Sequence, residues 1–414
     1  MKVAFVTNDL GLSGGIGVVV AHARRLHDEH GFDVWLVLAR EQEATWDHPA
    51  LQGLKVADLQ EARQEHFDVA ISTWWETAFD LFELPATRYA SFVQSLEDRF
   101  YRPGELERVG ASLVLDLPVA FLTEARWIHD TLRVLRPDAS CRLVRNAIDR
   151  DVFSPVAQVE PNLDRPLRIL VEGYATTWFK SVNEAVEACL AMEEPHELTV
   201  VAPTQRGLDT RGVDRVLGPI PQAELAQLYR ETDVVLKLSR VEGMYGPPLE
   251  GFCGGATCVT TEVTGADEYI EHGVNALVVD WDDERGTARA LDLLARDRRL
   301  LHRLRCNALE TARTWPTWER SGDLMASALR AIATEPAPDP YAPAGRLMGD
   351  LRTHLHLLKA QDKQRRLLEW RFKRLGNLPG VRQGVEVHGS PGGQFVLKLL
   401  HPLTKRVKAR LLGS

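Results

Sequence analysis

Two acids, Glu242 and Glu250, stand eight positions apart around the turn Gly243-Met244-Tyr245-Gly246-Pro247-Pro248. Upstream, Asp233-Val-Val-Leu-Lys-Leu-Ser239 is an apolar run that ends polar, and downstream a helix-like segment closes at Gly254-Gly255. The order reads strand, turn, helix. Pro247 and Pro248 suit the first turn of a helix, where a missing N–H costs nothing. The remaining free amides and the helix dipole favour an anion, and phosphate is the natural guest. Glu242 falls in the turn before the helix and Glu250 one turn into it. One acid can then hydrogen-bond a sugar hydroxyl while the other reaches hydroxyls beyond the phosphates, which is the polarity of a nucleotide sugar.

Two further loops follow apolar runs. Asn8 to Gly17 carries Gly11, Gly14, Gly15 and Gly17 ahead of an apolar helix. Such glycines let amides approach a phosphate or an acceptor, although a tight turn with no ligand explains them equally well. The spacing is not G-x-G-x-x-G, which counts against a NAD-dependent enzyme, the runner-up on fold alone. The second loop, Val171 to Ser181, contains Gly173 and Lys180 before a helix. A lysine at a helix start opposes the dipole, so an anion that compensates it is favoured over a merely solvated side chain.

Other residues carry weaker signals. Glu97 and Asp98 offer an acid pair or a metal site, but solvent exposure or acceptor contact is the favoured reading. Trp74-Trp75 follows a strand, where stacking on an acceptor sugar competes with packing on the sheet. The histidines form no HExxH-type set, so no metal is expected, and no cofactor. Five cysteines without CxxC pairs read as packing thiols of a reduced, cytoplasmic protein, Cys253 and Cys258 included.

These loops need strands and helices to hold them. Val3–Thr7, Val34–Ala39, Phe67–Thr73, Tyr89–Gln94, Val119–Thr123 and Leu143–Asn146 read as strands, and a second series runs through Arg168–Gly173, Leu198–Ala202, Val213–Leu217, Val234–Ser239, Cys258–Glu262 and Ala276–Asp280. Short, continuously apolar runs between helical patterns indicate parallel sheets covered on both faces. The expected architecture is α/β, two Rossmann-like domains facing across a cleft, with a C-terminal helical basic tail. The expected bounds are 1–158 and 165–334 for the domains and 335–345 for a proline-rich linker. Residues 346–414 then make a long helix and a basic amphipathic tail.

The formal net charge is −8, while residues 370–414 hold nine Lys or Arg and one acid, Glu386. An acidic body excludes general nucleic-acid binding and assigns the basic tail an anionic partner. That partner is either an anionic membrane surface or the acidic body itself. The leucines of 346–375 offer a face to a second copy of the chain. No apolar run reaches membrane-spanning length, and Met1–Thr7 is too short for a signal peptide.

Together these features resemble GT-B-fold glycosyltransferases of the large retaining family 4, over roughly residues 1–330. The resemblance rests on the 242–250 block, its continuation through Gly254-Gly-Ala-Thr-Cys-Val259 and Thr264 to Val279, and Gly173 with Lys180. Leu217-Gly-Pro-Ile-Pro221 and Arg145-Asn-Ala-Ile-Asp149 with Phe153 and Pro155 support it. Gly243 to Glu250, with Phe92 to Tyr101, is similar to rhamnosyltransferase-type members that build bacterial surface polysaccharides. The resemblance implies transfer, with retention, from a nucleoside-diphosphate sugar to a glycan or lipid-linked saccharide acceptor. The alternative within the fold is a nucleotide-sugar hydrolase or epimerase. It implies that Lys180 holds the diphosphate, Glu242 the transferred sugar and Glu250 the ribose. The backbone from Gly243 and Met244 through Tyr245, Gly246 and Leu249 would face the phosphates. Gly15 and Gly173 would line the cleft, Leu217 and Gly218 flank the base, and Gln94, Glu97 and Trp74 lie on the acceptor side. It also implies a cytoplasmic enzyme, peripheral at the inner face of a membrane. Tyr174 stands where the family usually has arginine, and Ala147 where it usually has glycine.

Overall fold

The computed structural model of the protein describes residues 1–11, 13–40, 49–161, 165–336 and 341–376. Its first sheet contains β1 Lys2–Thr7, β2 Asp33–Leu38, β3 Lys55–Asp58, β4 Phe67–Ser72, β5 Ala86–Val93, β6 Ala120–Thr123 and β7 Cys141–Leu143. The helices α1 Gly14–Asp28, α2 Leu59–Ala62, α3 Ala78–Leu81, α4 Leu106–Leu113 and α5 Arg126–Leu135 connect them. The second sheet contains β8 Leu167–Glu172, β9 His196–Val201, β10 Arg215–Leu217, β11 Val234–Lys237, β12 Thr257–Thr261 and β13 Ala276–Val279. Its helices are α6 Val182–Leu190, α7 Gln222–Glu231, α8 Gly246–Cys253, α9 Glu284–Arg296 and α10 Arg298–Thr314, followed by α11 Trp318–Thr334 and α12 Tyr341–Gly376.

The strand orders are β3-β2-β1-β4-β5-β6-β7 and β10-β9-β8-β11-β12-β13. Every pairing is parallel, for example Val3 with Val34 and with Val69, and Val234 with Ile169 and with Thr257. Both orders reverse direction once, beside β1 and beside β8. At such a switch point the loops leaving the strand ends diverge and leave a crevice for a ligand. The apolar runs are continuous because each sheet is covered twice. In β8, Leu170 joins Tyr229, Leu249 and Phe252 on one face, whereas Leu167, Ile169 and Val171 join Val186 and Leu291 on the other.

The structure differs from the sequence reading at four places. β3 was not expected: of its four residues only Ala57 is buried, so no apolar run announces it. The last strand of the first sheet is Cys141–Leu143, ahead of the expected 143–146. Helix α11 does not close the second domain, where the bounds 165–334 had placed it. Its stripe of Met325, Ala326, Leu329 and Ile332 is buried with Val19, Val20, Leu26, Val3 and Phe5 of the first domain. Thr317 caps it, accepting from the Arg320 amide at 3.5 Å. Finally, α12 begins at Tyr341, inside the stretch read as a linker, with Pro343 in its first turn.

Residues Met1–Leu351 form one compact unit and Arg352–Ser414 another. The second unit is described only as helix, to Gly376, so the basic amphipathic tail lies outside the described residues. No described helix is long and apolar enough to cross a membrane.

Candidate active site

The loops from the C-terminal ends of β1, β4, β8 and β11 line one cleft of about 1250 Å³ between the two sheets of the first unit. On the first-domain side, Asp9 shapes the turn after β1 by accepting the Gly11 amide at 2.7 Å. Ser13 then caps α1 through its Oγ, 3.2 Å from the Ile16 amide. Of this loop's glycines, Gly15 faces something. A Cβ there would lie 3.2 Å from Gln94 Oε1, while Gly14 and Gly17 have nothing within 4 Å.

Opposite, β8 ends at Glu172, and Gly173 turns the chain at φ +141°. Trp178–Lys180 form a single 3-10 turn, and Ser181, at φ 48° and ψ 42°, redirects the chain into α6. This aims Lys180 across the loop: its Nζ lies 2.8 and 2.9 Å from the two carboxylate oxygens of Glu242. Burial pushes the Glu242 carboxyl upward, but the charges of Lys180 and Lys237 outweigh it and hold the group ionised, below its ordinary value. Lys180 and Glu242 are thus brought together as an ion pair inside the cleft.

A second cluster lies at the neighbouring ends of β8 and β11. Lys237, with 4% of its side chain exposed, approaches Glu172 Oε1 at 3.4 Å and the Glu172 carbonyl at 3.5 Å. The Tyr229 hydroxyl is 3.0 Å from Glu172 Oε2 and 3.4 Å from Glu250 Oε2, and its single proton serves one acceptor at a time. Burial, then the neighbouring Glu172 charge, pushes the Glu250 carboxyl up to about 8. At neutral pH Glu250 therefore keeps its proton and can donate as well as accept.

Between the clusters, the peptide 242–244 is gripped largely by the first domain. Ser95 and Thr264 hydroxyls each lie 3.4 Å from the Glu242 carbonyl. The Trp127 indole donates to the Gly243 carbonyl at 2.9 Å, and Glu124 Oε1 accepts the Met244 amide at 2.8 Å. Gly243 packs so closely on Gln94 that an added Cβ would overlap the Gln94 carbonyl oxygen and lie 2.7 Å from Glu124 Oε1. Glu268 continues the seam, accepting the Arg126 and Trp127 amides at the start of α5 and pairing with Arg145 at 3.0 Å. Glu124 also accepts Asn146 Nδ2 at 2.6 Å, and burial pushes its carboxyl up to about 8. Asn146 Oδ1 has no hydrogen-bond partner.

The expected site residues divide by place. Gly15, Gly173, Lys180, Gly218, Glu242, Gly243, Met244, Gly246 and Glu250 line the cleft, as do Gln94, Glu97 and Trp74. The side chains of Leu217, Tyr245 and Leu249 instead join the hydrophobic cluster under α8. Tyr245 also bonds the Lys237 carbonyl at 2.8 Å through its hydroxyl. The amide supply at α8 is smaller than the turn suggested. Helical pairing commits the Leu249 N–H to the cap carbonyl and the two prolines carry none, so Gly246 is the first-turn donor that remains. Glu97 is buried, its carboxyl raised well above the usual range by that burial, and it accepts the Trp75 amide at 2.6 Å. Trp74 stacks on Phe100 at 5.9 Å with 16° between ring planes. Among the described residues no group of three or more His, Cys, Asp or Glu is placed to hold a metal. Cys253 and Cys258 are free, buried thiols in the same cluster.

Glu124, Glu172, Tyr229 and Lys237 were not singled out from the sequence as site residues, and Asn146 entered only through the 145–149 match. The one available signal was a polar residue closing an apolar strand, as in Val-Val-Leu-Lys237 and Ile-Leu-Val-Glu172.

Residues 169–297 match the family model described as Glycosyl transferases group 1, which spans the second domain from β8 through α9. The D-inositol 3-phosphate glycosyltransferase of Corynebacterium urealyticum is 30% identical over 190 residues, 45% of this chain and 41% of that one. The amylovoran biosynthesis glycosyltransferase AmsK of Erwinia amylovora is 28% identical over 202 residues, 44% of this chain and 47% of that one. The chain thus spans about half the length of the curated relatives it matches. Among solved structures, sucrose-phosphate synthase from Thermosynechococcus elongatus superposes with a TM-score of 0.66 at 14% identity, covering 80% of this chain and 98% of that one. Anabaena HepE in complex with UDP and glucose gives a TM-score of 0.63 at 15% identity, covering 80% and 100%. At these identities the likeness is one of fold, and the architecture is GT-B.

Proposed function

We propose that the chain is a glycosyltransferase that moves a sugar from a nucleoside-diphosphate donor to a saccharide acceptor. The observation that carries this reading is the Lys180–Glu242 pair at the mouth of α8, with Glu250 one turn into that helix and all three lining one cleft. The relatives' names motivate the reaction class. HepE, a neighbour in fold, is described with UDP and with UDP-glucose. In the reaction, positive charge grows on the anomeric carbon while negative charge grows on the departing diphosphate. Lys180 would exchange its contact with Glu242 for the leaving phosphate oxygen, and Glu242, freed of that contact, would face the sugar. A cation that meets the phosphate most strongly as charge develops lowers the barrier rather than merely tightening binding.

Glu250, protonated at neutral pH, would donate to one ribose oxygen and accept from another hydroxyl. The raised carboxyls and the cross-domain grip on 242–244 both belong to a closed, water-poor site, which strengthens such interactions. We extend the proposal to transfer with retention onto a glycan or lipid-linked acceptor, of the kind used to build bacterial surface polysaccharide. The role printed for AmsK, amylovoran biosynthesis, motivates that extension.

A thermal-shift panel of nucleoside diphosphates and their sugars tests the donor class, because a ligand at about a hundred times its Kd stabilises the fold by about 2.7 kcal/mol. Donor consumption measured with and without saccharide acceptors then separates transfer from hydrolysis. Acceptor-independent consumption would reassign the site to a hydrolase or epimerase. No stabilisation by any nucleotide would remove the reading altogether.

A further inference from the structure

The cleft presents four cations among its described lining residues: Arg24, Arg25, Lys180 and Lys237. Three are engaged at short range. Arg24 pairs with Asp28 at 2.6 Å, Arg25 with Glu29 at 2.5 Å, and Lys180 with both oxygens of Glu242. Lys237 is the exception. Its contacts to Glu172, at 3.4 and 3.5 Å, are well beyond the roughly 2.7–2.9 Å of a good charge-assisted hydrogen bond, although the side chain is almost fully buried. A buried ammonium held this loosely has much to gain from a stronger anion.

Its position says which anion. Lys237 closes β11, next to the end of β8 at the switch point of the second sheet. Its charge acts on both Glu242 and Glu250, drawing both carboxyls downward. It is therefore within electrostatic reach of both acids, and in the proposed reading these meet the sugar end and the ribose end of the donor. The group between those ends is the diphosphate. Two further features of the chain leave that group short of partners. Tyr174, which carries no charge, occupies the position after Gly173, and Pro247 with Pro248 removes two amides from the head of α8.

We propose that Lys237 is a second diphosphate-binding cation, alongside Lys180, and that Glu172 is its counter-ion before the donor binds. This inference rests on the glycosyltransferase reading and deepens it. On donor binding Lys237 shortens its contact to a phosphate oxygen and loosens from Glu172. Glu172 then keeps the Tyr229 hydroxyl, which is already 3.0 Å away. No bond is made or broken by the lysine; it neutralises charge on the group that leaves.

Lys237→Met alone leaves the half-buried Glu172 without its counter-ion, so the informative protein is the double variant Lys237→Met/Glu172→Gln, which removes both charges of the pair. Calorimetric titration of the full chain with UDP and uridine, and in parallel GDP and guanosine, reads the effect. The double variant, folded by circular dichroism, is expected to bind the diphosphate about ten- to a hundredfold more weakly than wild type while its affinity for the nucleoside is unchanged. Equal weakening toward diphosphate and nucleoside would make the pair a structural one and overturn the proposal, as would an unchanged diphosphate affinity. A wild-type chain that binds no nucleoside diphosphate of the thermal-shift panel overturns the donor reading itself and takes the role of Lys237 with it.

Discussion

Replacing Gly243 with alanine tests whether the first domain clamps the donor loop. The added Cβ would overlap the Gln94 carbonyl oxygen, lie 3.0 Å from the Gln94 carbonyl carbon and 2.7 Å from Glu124 Oε1. Comfortable contact needs about 3.5 Å or more, so the loop or the facing domain must retreat by well over about 1 Å. Backbone and a hydrogen-bonded carboxylate cannot swing aside as a surface side chain would. The retreat strains the bonds from Trp127 to the Gly243 carbonyl and from the Met244 amide to Glu124. At about 0.5–1.5 kcal/mol each, with about 1–3 kcal/mol for the overlap, closure becomes less favourable by about 2–6 kcal/mol. Separation of the domains relieves the clash, so the cost falls on the closed state more than on folding. The expected result is a fall in kcat/KM of about thirtyfold or more with cooperative unfolding retained. Gly17→Ala is the control for the substitution itself. It lies in α1 with nothing within 4 Å and should stabilise by about 0.5–1 kcal/mol. Steady-state kinetics and thermal melts of both variants decide it; a Gly243→Ala enzyme with near wild-type kcat/KM refutes the clamp.

Lys180→Ala should lower transfer at least about a hundredfold and also destabilise the fold, because Glu242 is left buried without its partner. Adding Glu242→Gln should restore the melting temperature and not the rate; recovery of the rate would contradict the phosphate role. For Glu250, the raised carboxyl dictates the sign of a pH effect. Its proton is held in the fold but released by the unfolded chain above about pH 4.5, so the stabilisation is full below that pH and lost as pH rises through about 8. Glu250→Gln should flatten the decline of stability across that window by up to about 1.4 kcal/mol per pH unit, and denaturation curves with equal slopes for both proteins would count against it. Met325→Ala should cost about 2–5 kcal/mol of stability by chemical denaturation, because α11 is seated in the first domain's core. A loss under about 1 kcal/mol would contradict that seating.

Much of the architecture was legible because parallel strands buried on both faces leave unbroken apolar runs such as Val3–Thr7 and Val234–Leu236. Strand β3 was not, since an edge strand with one buried residue has no such signature. The apolar stripe of α11 announced a buried face but not the sheet that receives it, and that choice rests on contacts with residues far earlier in the chain. In the site, the turn from Glu242 to Glu250 was readable from proline, glycine and acid spacing. Its partners were not. Glu172 and Lys237 meet only because β8 and β11 are neighbours in the sheet, and Glu124 reaches Met244 only when the two domains face each other. The prolines that marked the helix start also removed the amides that the same turn had suggested for phosphate.

The most direct measurement is a crystal structure of the chain with a nucleoside-diphosphate sugar that the thermal-shift panel identifies. The account predicts the diphosphate against Lys180 and Lys237 near the Gly246 amide, the sugar at Glu242 and the ribose at Glu250, with the Lys180–Glu242 pair opened. A ligand bound elsewhere, or bound in the cleft while that pair stays closed, would contradict it.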